Sequence, residues 1–335
     1  MDREGQLVDR IARAVPSVSA HHPFHGVRIG IGDDAAILSP NGRADWVLSC
    51  DAFLERVHFL AQAHPPDSVG YKSLVRATSD LVAMGATPRY FLLTLALPAP
   101  LTGRWLDAFL AGMGRAARSL GMRLIGGDTT KHRSVSISIT VLGEIPRGHA
   151  LTRSGANPGD LLYVTGELGR AQLGLEMVRR KLTHGRKLQN LLRPHLYPRI
   201  RVKLGEWLSR TKTATAMMDI SDGLSTDLVR LCAASQVGAR VEADRVPRVS
   251  IPENFNRAFG KRKLNALEMA LHGGDDYELL FSVPPHRAKT LRSAPGFSDL
   301  TAIGVITRGR QVLLVGSGGS VSPLEARGWD PFSHK

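Results

Sequence analysis

The sequence predicts a two-domain protein of mixed α/β (α+β) class. Its 335 residues exceed the usual length of one domain, and the 43% that are hydrophobic can bury sizeable cores. Strand patterns and helix patterns are mixed in both halves of the chain, and a stretch rich in Gly, Pro and Ser separates the halves. We therefore expect an N-terminal domain over residues 1–146 and a C-terminal domain over residues 147–335.

Three strands are predicted in the first half, at residues 43–49, 89–97 and 134–141. The last reads SVSISITV, and this strict alternation is typical of a strand with one apolar and one small polar face. Two helices lie among these strands. Asp67 or Ser68 can cap the first helix, which ends at Gly85, and the second runs from about Thr102 to Leu120.

The junction IPRGHALTRSGANPGD follows Glu144, and the second half then starts a new alternation of elements. Its predicted strands are DLLYVTG, the segment around Ala216–Met218, ARVEA, YELLFSV, AIGVI and QVLLV. Helices are predicted from Leu168, Arg199 and Leu224.

Cysteine usage and hydropathy exclude several classes of protein. Cys50 and Cys232 are the only cysteines, so neither a disulfide framework nor a zinc-binding spacing is expected, and a reduced cytoplasmic setting follows. Residues 1–16 carry acids and lack the apolar core of a signal peptide. No apolar run approaches the roughly 18 residues of a membrane helix, so we expect a soluble protein.

The chain is strongly basic, with 44 Lys+Arg against 30 Asp+Glu, a formal net charge of +14 and a pI near 10.3. A basic surface attracts phosphates. The positive residues are scattered, however, with short clusters only at residues 179–181 and 261–263, and no nucleic-acid-binding motif accompanies them. We do not expect a nucleic-acid partner. A basic binding protein without enzymatic activity stays open, and it would show strong, salt-dependent affinity for nucleic acid.

One stretch matches the glycine pattern of a dinucleotide-binding motif, but its neighbouring residues do not suit that function. GIGDDA, from Gly30 to Ala35, satisfies G-x-G-x-x-A, but Asp33 and Asp34 would set two carboxylates against a pyrophosphate. The sequence contains no G-x-x-x-x-G-K-[ST], so a P-loop is excluded.

Six aspartates recur beside glycine, serine or short apolar runs: Asp34, Asp51, Asp80, Asp128, Asp219 and Asp222. Four of them are predicted at strand ends or glycine turns, whereas Asp80 lies within a helix. Any one could form a turn or cap a helix, but Asp219 and Asp222 cannot both cap the helix that follows them. If several converge, their repulsion must be offset, and a hard divalent cation with oxygen ligands would do so. A set rich in Asp predicts Mg²⁺ and nucleotide phosphates rather than zinc or iron.

Eight motifs follow one another in a fixed order: GIGDDAAIL, SCDAFLERVHF, YKSLVRATSDLVAMGATPRYFLLTLALP, LIGGDTT, ITVLGE, ALTRSGANPGD, DISDGLSTDL and GGDDYELLF. Together they closely resemble the motifs of the thiamine-monophosphate kinase family. The resemblance covers about residues 30–332. It implies the two-domain aminoimidazole ribonucleotide synthetase-like fold, and a homodimer whose N-terminal sheets form a barrel.

The resemblance implies ATP-dependent phosphorylation of thiamine monophosphate to thiamine diphosphate with several Mg²⁺ ions. By motif, the metal ligands are Asp34, Ser49, Cys50, Asp51, Asp80, Asp128, Asp219 and Asp222. The nucleotide contacts are Gly127, Asp128, Arg153 and Ser221, and the substrate contacts are His58, Asp275 and Trp329. The acceptor phosphate is already anionic near pH 7, so we expect direct in-line transfer with no covalent nucleophile and no general base.

Some of these positions have a simpler interpretation or depart from the family pattern. Considered alone, His58 reads as a strand histidine with a satisfied hydrogen bond, and Trp329 as a core residue. Cys50 stands where threonine is usual, and because a thiol binds Mg²⁺ poorly, only its carbonyl could contribute. Arg56 adds bulk and charge near the substrate, and Asp275 is one methylene shorter than the usual glutamate. None of these departures removes an aspartate of the metal set.

Another ATP-dependent synthetase of the same superfamily, acting on a ribonucleotide amide or a selenide, is the alternative. A selenide synthetase would need a reactive Cys or Lys in a glycine-rich N-terminal segment. Residues 1–29 contain neither, and their only glycines are Gly5 and Gly26. This counts against that alternative.

Overall fold

The computed structural model describes residues 27–29, 33–39, 44–182, 186–253, 255 and 263–332. The chain divides into two compact units. The first unit holds the described residues up to Ala150 together with Leu196–Glu206, and the second holds Leu151–His195 together with the described residues from Trp207 onward. The N-terminal segment considered for a signal peptide, the glycines of GIGDDA and most of the basic cluster at 261–263 lie outside the described residues.

The first unit is built on one six-stranded sheet. Its strands are β1 (Val27–Ile29), β2 (Ala36–Leu38), β3 (Ala44–Leu54), β4 (Thr87–Leu97), β5 (Arg123–Lys131) and β6 (Ser136–Pro146), in the order β1-β2-β3-β6-β4-β5. Helix α1 (Pro66–Ala83) joins β3 to β4, and helix α2 (Arg104–Leu120) joins β4 to β5. Neighbouring strands are antiparallel except β4 and β5, which the α2 crossover makes parallel.

The alternation in SVSISITV is confirmed as a strand with two unlike faces. Ile137, Ile139 and Val141 are at most 1% exposed and belong to the core of the first unit, whereas the residues between them are half-buried. The same alternation in β3 buries Val47 and Phe53. One face of this sheet therefore carries the core.

The two helices of the first unit cross at a pair of glycines. A methyl group at Gly70 would lie 2.0 Å from the Phe109 carbonyl oxygen, and one at Gly112 would lie 1.8 Å from the Asp67 carbonyl oxygen. The absence of side chains at these positions lets the two backbones touch. Helix α1 also packs on β3 and β6 of the sheet.

The second unit is built on a seven-stranded sheet. Its strands are β7 (Leu161–Thr165), β8 (Ala216–Ile220), β9 (Gly238–Glu242), β10 (Glu278–Val283), β11 (Leu300–Thr307), β12 (Val312–Val315) and β13 (Val321–Pro323), in the order β13-β12-β9-β11-β7-β10-β8. The later helices are α3 (Arg170–Arg179), α4 (Arg186–Leu196), α5 (Val202–Thr211), α6 (Leu224–Ser235) and α7 (Ala266–His272). All neighbouring strands are antiparallel except β9 and β12.

Three local expectations are wrong. Strand β3 continues to Leu54, so Asp51 lies within a strand rather than after one. IGGDTT is part of strand β5, so Asp128 also lies within a strand. Helix α1 begins after Pro65 without a side-chain cap, because Asp67 instead accepts hydrogen bonds from Arg115 Nη2 and Tyr197 Oη, both at 2.9 Å.

Among the described residues, no helix combines the length and the apolarity that crossing a membrane requires.

Replacing Gly112 by Ala should destabilise the first unit, since the added methyl would collide with the α1 backbone. We expect a loss of roughly 1–3 kcal/mol in the free energy of unfolding, as for other overpacked contacts. Gly114→Ala is the matched control on the same helix, because its methyl would meet only the movable end of Arg118 at 3.3 Å. That variant should be neutral or gain up to about 1 kcal/mol from helix propensity. Urea unfolding measures both, and equal effects would contradict the backbone contact.

Candidate active site

A turn at the end of β8 places two of the predicted metal ligands in the second unit. Asp219, near the end of β8, is 2% exposed, and Ser221 and Asp222 follow in the turn. Gly223 has φ 116°, and a Cβ there would lie 2.9 Å from the His272 carbonyl carbon, so this position requires glycine. The chain thereby reverses sharply and enters α6 immediately after the aspartates.

The first turns of α6 stabilise this aspartate turn. Asp227 Oδ2 accepts the N–H groups of Asp222 and Gly223, each at 3.0 Å. Burial raises the pKa of Asp227 well above its ordinary value, and the charges of Asp222 and Asp219 raise it further, against the lowering effect of Arg230. The three carboxyl groups therefore interact electrostatically.

Arg230 supplies a positive charge to this group of carboxylates. Its Nη1 lies 2.5 Å from Asp222 Oδ2 and 3.4 Å from Asp227 Oδ1. The sequence interpretation missed both Asp227 and Arg230. Their spacing of three residues in DLVR, which places opposite charges on one helix face, could have indicated the pair.

A second loop, HGGDDY, packs against the aspartate turn through main-chain atoms. Asp275 N donates to Ser221 O at 2.7 Å, and Trp329 N donates to Asp222 O at 2.9 Å. The backbones of Asp275 and Trp329, two of the three predicted substrate contacts, are thus fixed to one turn. Asp275 is half-buried and Trp329 is 39% exposed.

Asp276 anchors the same loop to the beginning of α3. Its carboxylate accepts the N–H groups of Gly169 at 2.6 Å and Ala171 at 3.1 Å. Burial raises the pKa of Asp276 to about 7; the two backbone hydrogen bonds oppose the shift, and the charges of Glu278 and Asp275 add to it. These N–H groups are ones that the helix itself leaves unpaired.

Arg153 lies in the loop that runs beside β8. Thr152 O accepts the N–H of Met217, two residues before Asp219, and Arg153 O accepts the Ser235 hydroxyl at 2.8 Å. The main chain of the ALTRSGA motif is therefore fixed against the strand that carries Asp219. Arg153 is half-buried.

In the first unit, two predicted metal ligands lie close together. One carboxylate oxygen of Asp34 lies within 4.8 Å of one from Asp80, and Asp34 is only 8% exposed. The Ser49 hydroxyl donates a hydrogen bond to Asp80 Oδ2. Asp80 projects from α1, as predicted for a carboxylate within a helix, and Ser49 projects from β3.

The neighbouring residues of β3 behave differently. Asp51 lies on the same side of the strand as Ser49 but pairs with Arg76, whose Nε lies 2.5 Å from Asp51 Oδ2. Arg76 also stacks over the Phe53 ring at 5.8 Å. Cys50 projects from the opposite face, with its Sγ 3.5 Å from Ser138 Oγ. The Cys50 thiol and the carboxylates of Asp34 and Asp80 therefore lie on opposite sides of the sheet.

Gly127 and Asp128 lie in β5, and strands β6 and β4 separate β5 from β3. Strand spacing puts roughly 14 Å between the axes of β3 and β5, so this unit does not bring Asp128 next to Asp51. Gly127 has φ 151°, and a Cβ there would lie 1.9 Å from Leu93 O. Glycine is therefore required for β5 to pair closely with β4.

A cavity of about 740 Å³ in the first unit lies beside Gly127 and Asp128. Leucines of β4 and α2 line one part of it, and residues Gly126–Lys131 of β5 line the other. A cavity with apolar walls and a polar edge, which carries the Asp128 carboxylate and the Lys131 ammonium group, suits a molecule that has both an apolar part and a charged part.

His58 follows the end of β3, and two interactions of its imidazole ring fix its position. Its Nδ1 accepts the N–H of Leu54 at 3.0 Å, and the ring stacks on Phe53 with centroids 5.6 Å apart. This arrangement fixes the tautomer, because an accepting Nδ1 leaves the proton on Nε2. The adjacent Arg56 has φ 69° and is exposed.

Comparison with known proteins identifies the family. Residues 32–145 match the family model of the N-terminal domain of AIR synthase related proteins, and residues 157–316 match the model of the C-terminal domain. The thiamine-monophosphate kinase of Escherichia coli O157:H7 is 36% identical over 313 residues, which is 92% of this chain and 93% of that protein. The enzyme of Bacillus subtilis (strain 168) is 32% identical over 321 residues, or 93% and 95% of the two chains. The chain belongs to the thiamine-monophosphate kinase family.

Solved structures agree with this assignment. The structure of AaThiL complexed with AMPPCP and TMP has a TM-score of 0.83 and 31% identity, and the match covers 98% of this chain and 96% of that one. Thiamine-monophosphate kinase from Stenotrophomonas maltophilia K279a has a TM-score of 0.72 and 35% identity, with 92% and 95% covered. The expected two-domain aminoimidazole ribonucleotide synthetase-like fold is confirmed.

Asp276→Asn should alter the pH dependence of stability. Between pH about 4 and 7, folded wild type keeps a proton on Asp276 that the unfolded chain has released, since burial raises this pKa to about 7. Raising the pH therefore destabilises the folded state, by up to about 1.4 kcal/mol per pH unit from this group. Asn does not titrate. Urea unfolding across this range should show the variant gaining stability relative to wild type as pH rises, and a constant difference would contradict the assignment.

Proposed function

We propose that this chain transfers the γ-phosphoryl group of ATP to thiamine monophosphate, forming thiamine diphosphate and ADP in an Mg²⁺-dependent reaction. One observation carries the proposal. AaThiL, whose structure holds the ATP analogue AMPPCP together with TMP, matches this chain over nearly its whole length. The curated relatives with the same activity in their names match it over nearly all of both chains.

The donor set of the chain fits a hard divalent cation. The proposed ligands are oxygen donors, namely Asp34, Ser49, Asp51, Asp80, Asp128, Asp219 and Asp222, with Cys50 able to contribute only its carbonyl. In the second unit the charges of Asp222 and Asp219 raise the pKa of Asp227 beyond the effect of burial, and Arg230 offsets part of this negative charge. Bound Mg²⁺ would supply further neutralisation and would polarise the phosphates.

The acceptor needs no general base in this reaction. A phosphate oxygen of thiamine monophosphate, anionic near pH 7, attacks the γ-phosphorus in line, and the bond from that phosphorus to the β,γ-bridging oxygen breaks to release ADP. The main task of the protein is to hold two polyanions in position against their repulsion. We propose Gly127 (through its main chain) and Asp128 as the nucleotide contacts of the first unit, and Arg153 and Ser221 as those of the second unit.

The substrate contacts combine a carboxylate with aromatic rings. Thiamine carries a cationic thiazolium ring and a flat aminopyrimidine, which an aromatic face and a carboxylate both attract. Trp329 and Asp275 offer this pair, and the main chain of each is hydrogen-bonded to the aspartate turn. We propose that they bind the thiamine part. For the first unit we propose His58 as a substrate contact that donates from Nε2.

The apolar face of the first sheet supports a homodimer. Trp46 and Tyr90 stack there with ring centroids 6.0 Å apart, and Tyr90 and Leu92 are 38% and 36% exposed. These residues alternate with the buried ones of β3 and β4 and so lie on the face opposite the core. We propose that a second copy of the chain covers this face. We propose a reducing cytoplasmic setting, because the chain has only two cysteines, Cys50 and Cys232.

The kinase activity is tested by ADP release and thiamine diphosphate formation from ATP and Mg²⁺. Asp80→Asn should lower kcat/KM by roughly 100-fold or more. The variant loses a proposed metal-binding carboxylate, and a bound metal ion contributes several kcal/mol by stabilising the charge of the transition state. Asp67→Asn is the control on the same helix. Asp67 is not a predicted metal ligand, and its carboxylate accepts hydrogen bonds from Arg115 and Tyr197. It should stay within a few-fold of wild type. ATP turnover by wild type that ignores thiamine monophosphate would refute the proposed function.

Leu92→Asp should convert the dimer to a monomer, because the new carboxylate would be buried in the proposed interface. The substitution leaves the core unchanged, since Leu92 lies on the face of β4 opposite the core. Light scattering after size exclusion would show a mass near 36 kDa instead of twice that value. Leu60→Asp serves as the control, since Leu60 is 46% exposed in the loop after His58. A monomeric wild type, or two variants with the same mass, would count against this interface.

A further inference from the structure

The loop from Gly273 to Tyr277 contains two residues in an unusual backbone conformation. Asp275 has φ 69° and Tyr277 has φ 51°, which is the left-handed region that side chains disfavour. Such conformations persist where the surrounding structure enforces them, and they concentrate at functional sites. Here the enforcement is visible, since Asp275 N donates to Ser221 O at 2.7 Å and Tyr277 N donates to Ile220 O at 2.8 Å.

The two left-handed residues bring the Tyr277 side chain back to Asp275. The Tyr277 hydroxyl donates a 2.6 Å hydrogen bond to Asp275 Oδ1. The tyrosine is only 2% exposed, whereas Asp275 is half-buried. A short hydrogen bond from a hydroxyl to a carboxylate is of the strong, charge-assisted kind. The buried partner therefore holds the orientation of the more accessible one.

The residue between them fixes the loop to a rigid element. Asp276 binds the N–H groups of Gly169 and Ala171 at the beginning of α3. The loop is thus held on one side by the aspartate turn after β8 and on the other by a helix. Tyr277 consequently cannot follow a rotation of the Asp275 side chain, and the hydrogen bond resists that rotation.

We propose that Tyr277 is a positioning residue, whose hydroxyl fixes the Asp275 carboxylate in the orientation that receives the cationic or N–H-donating part of thiamine. The inference rests on the proposed function, in which Asp275 contacts the substrate. A carboxylate that is already oriented loses less rotational freedom when the ligand binds, so the affinity for the thiamine part rises. Nucleotide binding, which the proposed function assigns to other residues, is unaffected.

Tyr277→Phe removes the hydroxyl and keeps the buried ring. Calorimetric titration with thiamine monophosphate should show a Kd roughly three- to tenfold higher than for wild type, because one charge-assisted hydrogen bond that orders Asp275 is lost. In steady-state assays the KM for thiamine monophosphate should rise by a similar factor, while the KM for ATP stays within about twofold. Circular dichroism melting verifies that the variant is folded.

Tyr163→Phe is the matched control. Tyr163 lies on β7 of the same unit, its ring stacks on Phe281 at 5.6 Å, and it belongs to neither proposed binding set. Burial raises the pKa of this phenol as well, so the control also removes the hydroxyl of a partly buried tyrosine. Its Kd for thiamine monophosphate should equal that of wild type.

A double-mutant cycle with Asp275→Ala decides whether Tyr277 acts through Asp275. In the Asp275→Ala background, Tyr277→Phe should leave the Kd for thiamine monophosphate unchanged. An unchanged Kd for Tyr277→Phe alone, an equal rise in both KM values, or an effect that persists without Asp275 would each overturn the inference. Binding without phosphoryl transfer by wild type would refute only the proposed kinase activity, since calorimetry still tests the role of Tyr277.

Discussion

The concentration of negative charge at the predicted ligand positions is the constraint on which the rest of the site depends. Carboxylates that are brought close together raise one another's pKa unless cations or N–H groups compensate. The chain meets this constraint locally, with Arg230 beside Asp222 and Asp227, and Arg76 beside Asp51. The Arg230–Asp222 and Arg76–Asp51 pairs are partly exposed, so they orient the carboxylates and offset their charge rather than add much stability.

Backbone N–H groups also offset the negative charge of buried carboxylates. Asp227 accepts two of them from the aspartate turn, and Asp276 accepts two at the beginning of α3. Each of these buried carboxylates therefore organises a loop that carries a predicted ligand or substrate contact. The loops are fixed through their main chains, which allows the side chains of Asp222 and Asp275 to be used for binding.

Elements with strong local patterns could be predicted from the sequence. SVSISITV forms the central strand β6, α2 ends at Gly121 in a left-handed C-cap, and Asp80 lies within a helix. The order of the motifs also indicated the family, and with it the fold. IGGDTT was not predicted as a strand, because two glycines usually interrupt strands, and here pairing with β4 overrides that preference. Neither Arg76 nor Arg230 was predicted, since surface arginines are common and their partners are determined by packing.

The sequence by itself determined the kinds of ligand atom, the order of the elements and the family, because these depend on residue type and local periodicity. The tertiary structure decided which of the carboxylates meet. Asp34 and Asp80 come together across 46 positions of sequence, whereas strands β6 and β4 separate Asp128, in β5, from Asp51, in β3. It also decided that the Cys50 thiol lies across the sheet from Asp34 and Asp80 and that Tyr277 returns to Asp275. These outcomes depend on strand order, strand length and loop conformation, which long-range contacts fix and which no short stretch of sequence encodes.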